Sequence, residues 1–242
     1  MTGVYRIAGH DIGIDSNFPD IHSYCEAYRS EGTPEITVSV PIEELEAAWQ
    51  SAEWQILHGE LPQREHSMAY LELIRTYKRI AERMPEWDVF MMHGSTIAVD
   101  GEGYLFTASS GTGKSTHARL WREMLGERAV MVNDDKPLIH VDADGGTTVY
   151  GTPWNGKHRL GNNIAVPLKA ICVLERDTTN HIERVTKESS YAMLLQQTYR
   201  PANPVALGAT LKLLDRMNVA YYRLGCNMEP EAARVSYEGM KG

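Results

Sequence analysis

Two stretches about a helix's length apart hold the residue types that could do chemistry in this chain. The first is SSGTGKST, residues 109–116, set between the apolar run YLFTA and the mixed HARLW. Gly111 and Gly113 let backbone N–H groups turn towards an anion, and a helix beginning near Lys114 aims the positive end of its dipole at the same point. Lys114 adds a point charge for β- and γ-phosphate oxygens, and Ser115 offers a hydroxyl ligand to the Mg2+ of a nucleotide. Ser110, Thr112 and Thr116 complete the cradle. The phosphate-binding pattern G-x-x-x-x-G-K-[ST] wants Gly at the position where this chain has Ala108. A glycine-rich turn that merely caps a helix accounts for neither the lysine nor the two hydroxyls that follow it.

The second stretch is VNDD, residues 132–135, which ends an apolar run in two carboxylates. A strand there delivers Asp134 and Asp135 to its carboxyl end, the edge at which open α/β sheets bind ligands. One carboxylate can hold Mg2+ and the other can take the proton of an attacking hydroxyl. Adjacent strand residues point to opposite faces, so only one of the pair readily faces an acceptor. A third segment, GTPWNGKHRLGNN from Gly151 to Asn163, presents Lys157, His158 and Arg159 close to Trp154; Lys157 and Arg159 could clamp a γ-phosphate or position the acceptor.

The elements that must position these residues can be read from periodicity. GVYRIAGHDIGID and PEITVSV alternate apolar and polar positions and predict short antiparallel strands. After Pro41, Leu45, Trp49, Ala52 and Ile56 lie at helical spacing, as do Leu71, Ile74, Tyr77, Ala81 and Met84, which predicts two amphipathic helices with core-facing stripes. From Val89 the pattern turns to strands: two joined by a turn at DGEG, then the loop and its helix, the AVMVND strand, a hairpin over LIHVDADGGTTVYG and a buried strand at AVPLKAICVLERD. ESSYAMLLQQTY, PVALGATLKLLDRM and EPEAARVSYEG predict helices, with YYRLGC a strand between the last two. The organisation expected is an N-terminal α+β subdomain over residues 1–88 and a catalytic α/β domain over 89–242.

Composition limits the partners. A hydrophobic share of 43%, a charged share of 23% and a net charge of −8 fit a globular protein, and no run of Lys or Arg could track a nucleic-acid backbone. Cys25, Cys172 and Cys226 form no C-x-x-C pair, and His10, His22, His58, His66, His117, His140 and His181 show no metal-ligand spacing. The sequence carries no signal-peptide core and no apolar stretch of bilayer length, so a cytoplasmic protein with no membrane partner is expected.

His93-Gly94 on a strand, a short hairpin, SSGTGKST and then NDD, in that order over about residues 89–180, resembles the catalytic domain of HPr kinase/phosphorylase. It is similar also to the nucleotide half of phosphoenolpyruvate carboxykinase. GTPWNGKHRLGNN followed by VPLKAICVLER resembles small kinases of this superfamily encoded beside ribosomal-peptide gene clusters, among them lasso-peptide precursor kinases. The resemblance implies a P-loop kinase domain with a mixed sheet, using ATP and Mg2+. Lys114 would bind phosphate, Ser115 and Asp134 would serve the metal, Asp135 would be the base, and His93 would stand near the phosphates. HPr kinase carries a metal-binding Glu in its later signature segment, whereas WNGKHRLGNN has no carboxylate, so the resemblance does not bring reverse phosphorolysis with it.

The reading is an ATP-dependent phosphotransferase acting on a Ser or Thr hydroxyl of a protein or precursor peptide. A small-metabolite kinase with the same site and a non-catalytic nucleotide-binding regulator are the alternatives. Homo-oligomerisation stays open.

Overall fold

The computed structural model describes residues 1–57, 67–156 and 159–242, with the side chains of 54–57 set aside. Ile56 of the predicted stripe, and His58, His66, Lys157 and His158, lie outside the described residues or side chains. The chain divides into two compact units, Met1–Glu82 and Arg83–Gly242.

In the first unit, β1 (Thr2–Ile7) and β2 (His10–Asp15) form an antiparallel hairpin. Its two-residue turn, Ala8 and Gly9, has φ of 50° and 89°, the left-handed pair that a type I′ turn needs to match strand twist. α1 (Asp20–Cys25) and a 3-10 turn then carry the chain back, so that β3 (Ile36–Ser39) pairs with β2 in parallel and not, as alternation alone suggested, antiparallel. α2 (Ile42–Leu57) and α3 (Met68–Arg83) follow. The buried side of α3 is rotated from the predicted stripe: Leu73, Thr76, Ile80 and Ala81 are buried together with Glu72. That carboxylate goes inside because it accepts the backbone N–H groups of Asn17 and Phe18 and the Asn17 amide, at 2.7–3.0 Å.

The second unit begins with β4 (Val89–Met91), β5 (Ser95–Val99) and β6 (Glu102–Thr107), where two strands were expected. Asp100 and Gly101, φ 52° and 87°, close the β5–β6 hairpin. α4 (Lys114–Leu125), β7 (Ala129–Asn133), the β8 (Leu138–Val141) and β9 (Thr147–Tyr150) hairpin, and the long β10 (Ala165–Arg176) come next. β11 (His181–Val185), which no pattern announced, precedes α5 (Lys187–Gln197), α6 (Pro204–Arg216), β12 (Ala220–Cys226) and α7 (Pro230–Met240). The sheet runs β4-β8-β9-β10-β6-β5-β7, and β12 joins the later half of β10 with β11 outside it. β10 pairs antiparallel with β9 at its start and parallel with β6 and β12 further on, so the sheet is mixed.

Strand alternation divides the core between two faces. Tyr104 and Phe106 pack with Ala118, Trp121 and Ala233 under α4 and α7, whereas Leu105 packs with Leu194, Leu213 and Leu214 under α5 and α6. Trp121 is the pivot of the first face, with ring centroids 5.2 Å from Tyr104, 5.0 Å from Phe106 and 5.5 Å from Tyr237. This packing fixes the start of α4, and so the loop before it, to the end of β6.

Candidate active site

Sheet order alone brings the chemistry of the two motifs to one edge. β5 runs antiparallel to both β6 and β7, so β6 and β7 end on the same side with the start of β5 between them. His93 and Gly94 therefore sit between the loop after β6 and the carboxylates after β7. Hydrogen bonds tie the three together: Thr107 Oγ1 donates to the His93 carbonyl at 2.9 Å, and the Gly94 N–H donates to the Asp135 carbonyl at 3.0 Å.

The loop folds as its glycines demand. Gly111 and Gly113 have φ of 78° and 123°, which side chains with a Cβ rarely adopt. Ala108 has no positive φ, and its methyl group is fully buried in the core beneath α4, so the departure from glycine there carries no conformational cost. Lys114, only 8% exposed, turns back over the loop and donates to the carbonyl oxygens of Ala108 at 2.9 Å and Ser109 at 3.5 Å. Burial pushes the Lys114 ammonium's proton affinity down, and the negative charge of Asp135 opposes that shift. Ser115 is exposed on the first turn of α4.

Asp135 faces this lysine's field. Its Oδ1 lies 3.2 Å from His93 Nε2, and its Oδ2 pairs with Lys136 Nζ. Burial pushes the carboxyl's pKa upward, but the hydrogen bond from His93 and the charge and hydrogen bond of Lys136 together outweigh it and hold the group below its ordinary value. His93 is braced from behind: its Nδ1 is 2.9 Å from Gln197 Oε1, and its N–H donates to the Gln197 carbonyl at 2.8 Å. Asp134 goes the other way. It is 7% exposed, and its Oδ1 accepts the Gly156 N–H of the 151–163 segment.

The parting of the two carboxylates has a visible cause in Asn133. This fully buried residue accepts the N–H groups of Asp135 and Lys136 on its Oδ1, at 2.8 and 2.6 Å. Its Nδ2 donates to the Thr152 carbonyl and hydroxyl at 3.2 and 2.9 Å, and the Thr152 hydroxyl donates to the Lys136 carbonyl at 2.9 Å. The turn after β7 is thus locked to the start of the Gly151–Asn163 segment. That segment is sewn down further by Asn162, which bonds the carbonyls of Val132 at 3.2 Å and Met131 at 2.8 Å. Arg159, with φ of 49°, is exposed on it, and Trp154 is buried.

His93, Lys114 and Asp135 are thus gathered at one sheet edge, with Asp134 anchored beside them on the segment that carries Arg159. Lys136, Asn133, Thr152 and Gln197 are additions that sequence reasoning missed. Lys136 was readable as the next letter after NDD, and Gln197 was not readable at all, since 104 residues separate it from His93. The oxygen donors here, a serine hydroxyl and carboxylates, are of the hard type that suits Mg2+. No group of three or more His, Cys, Asp or Glu side chains that could hold a metal occurs among the described residues. Among the described residues, no helix is long and apolar enough to cross a membrane.

Comparison with known proteins adds three findings. An HPr(Ser) kinase/phosphatase from Coxiella burnetii is similar at 11% sequence identity and a TM-score of 0.36, covering 63% of this chain and 99% of that one. No curated protein matches the chain. Residues 58–218, more than half of the chain, match the family described as SynChlorMet cassette protein ScmC, and the chain belongs to that family.

Proposed function

We propose that this protein is an ATP- and Mg2+-dependent kinase that transfers the γ-phosphoryl group to a Ser or Thr hydroxyl of a protein or peptide. The observation that carries the reading is the placement of Lys114. A buried ammonium rests on the carbonyls of a left-handed glycine loop and faces a carboxylate that is itself held ionised by His93 and Lys136. A lysine parked on loop carbonyls is ready to exchange them for phosphate oxygens, which are better acceptors because they are charged.

Each group then has a task. The loop N–H groups between Ser110 and Thr116 and the start of α4 bind the β- and γ-phosphates, and Lys114 stays with the charge as it shifts. Asp135 orients the acceptor hydroxyl and accepts its proton, while His93, braced by Gln197, keeps that carboxylate in place. Ser115 would supply a hydroxyl ligand to the metal, and Asp134 a carboxylate oriented by the Gly156 amide. When bound, Mg2+ neutralises negative charge on the phosphate oxygens. Arg159, exposed on the neighbouring segment, is assigned to the acceptor side.

The reading is tested with γ-labelled ATP, Mg2+ and candidate proteins and peptides, using the wild type and Lys114→Ala. Transfer is expected in the wild type and lost in the variant, with weaker ATP binding. Wild-type turnover in Lys114→Ala would remove the loop assignment. ATP binding without transfer to any hydroxyl, protein or metabolite, would favour a nucleotide-binding regulator.

A further inference from the structure

On the side of β6 away from the carboxylates, β10 and β12 run parallel to it, so three neighbouring strands end at one edge. Ligands of open α/β sheets sit outside such strand ends. A pocket of about 300 Å3 opens there. Leu120 and Leu174 line it with apolar side chains, Gly113 and Thr116 come from the loop and the first turn of α4, and Asp177 and Asn227 follow the ends of β10 and β12. The volume is at the small end of ligand sites, which suits a flat ring system with a sugar attached. The shared residues, Gly113 and Thr116, make any occupant continuous with a phosphate chain on the loop.

The polar lining is held rigid. Asp177 Oδ1 accepts the Thr179 N–H at 3.1 Å and the Thr178 and Thr179 hydroxyls at 3.4 and 3.3 Å, which aims the carboxylate without neutralising it. Asn227 is locked on both sides of its amide, donating to the Thr178 carbonyl at 3.3 Å and accepting the Glu229 N–H at 3.0 Å. The Asp177 N–H donates to the Cys226 carbonyl at 3.0 Å and joins the two strand ends.

His117 lines the pocket, is 2% exposed, and has its Nε2 2.9 Å from Ser236 Oγ. Ser236 already donates its one proton to the Ala233 carbonyl at 3.0 Å and accepts the Trp121 indole N–H at 2.8 Å. The network therefore assigns the proton between His117 and Ser236 to Nε2, which leaves Nδ1 as an acceptor with no hydrogen-bond partner. Burial pushes this imidazole down to about 4, so it is neutral at physiological pH. Nδ1 itself has essentially no accessible surface, so the neutral ring contributes shape to the pocket lining and no hydrogen bond to its occupant.

We propose that this pocket takes the purine and ribose of the nucleoside triphosphate, with the Asp177 carboxylate accepting an N–H of the purine's polar edge. The inference rests on the phosphate-loop reading above and extends it to the base. A carboxylate selects purines that carry a donor on that edge: adenine through its exocyclic amine, guanine through its ring N–H and amine. Purine riboside triphosphate, which has neither, gains nothing from Asp177.

Calorimetric titration with inorganic tripolyphosphate, ATP, GTP and purine riboside triphosphate, on wild type and Asp177→Asn, tests this. Asn keeps the Oδ1 acceptor that the Thr179 turn requires, so the fold is preserved. ATP or GTP is expected to bind the wild type at least about tenfold more tightly than tripolyphosphate. Asp177→Asn should remove about tenfold from that nucleotide and leave tripolyphosphate and purine riboside triphosphate unchanged. The ratio between ATP and GTP in the wild type shows which donor edge is read. If tripolyphosphate binds and no nucleotide binds more tightly, or if Asp177→Asn weakens all four ligands equally, the pocket assignment fails while the loop reading stands. If nothing binds, both fail together.

Discussion

Replacing Asp135 by Asn exchanges one carboxylate oxygen for an amide group and removes one negative charge without changing the side chain's shape. In the native protein this carboxylate meets His93 Nε2 at 3.2 Å, pairs with Lys136 and supports the charge of Lys114. Losing a general base costs about 10² to 10⁴ in rate, or about 3 to 5 kcal/mol of barrier. Two features put the expected loss in the lower half of that range. The carboxyl is held below its ordinary pKa and is a weak base, and phosphoryl transfer through a loose transition state needs little proton removal early on. A fall in kcat of about 10² to 10³ is therefore expected. ATP affinity should move only a few fold, because the support lost to Lys114 is offset by relief of repulsion between Asp135 and the phosphates. The pH dependence has a definite sign. A carboxyl with a lowered native pKa contributes stability above its unfolded value and loses it as pH falls through the lower native value. The Tm gap between wild type and Asp135→Asn should thus hold steady from pH 8 to about 4 and narrow below that. Single-turnover rates and ATP·Mg2+ titrations of Asp134→Asn and Asp135→Asn, run side by side, check the argument. A loss of under tenfold at Asp135 refutes its role as base. Affinity lost at Asp135 but kept at Asp134 exchanges the roles of the two.

Three further outcomes are expected. Ser115→Ala should raise the Mg2+ concentration needed for half-maximal transfer, and an unchanged Mg2+ titration would place the metal elsewhere. Asn133→Ala removes four hydrogen bonds around the turn after β7, worth about 3 kcal/mol together and about 6 to 12 °C in Tm, and should lower kcat more than ATP affinity; a shift under about 2 °C by calorimetry would contradict the pinning role. Gln197→Leu should leave the fold intact yet reduce turnover by loosening His93, with Gln197→Asn failing to rescue because its shorter chain cannot reach Nδ1; full activity in both variants would detach Gln197 from the site.

Much of the fold was legible because its causes are local. Asp100 and Gly101 make a hairpin wherever such a pair of left-handed residues meets two alternating runs, and Thr186 and Asn203 cap α5 and α6 with their own side chains. The glycine loop before α4 belongs to this class, since Gly111 and Gly113 take conformations that their lack of a Cβ permits. Other features depend on which strands are neighbours, and no periodicity encodes that. β11 alternates too weakly to announce itself and exists because β12 offers an edge. The inward turn of Glu72 needs three donors some 55 residues away, and His93 needs Gln197 from 104 residues on. The sequence by itself determined that two adjacent aspartates end a strand a helix's length after a glycine-rich loop that carries a lysine, and alternation implied that they part. Only the tertiary structure decided which way each one goes, because the choice depends on Asn133 bonding across to Thr152 and on Gly156 offering its amide to Asp134.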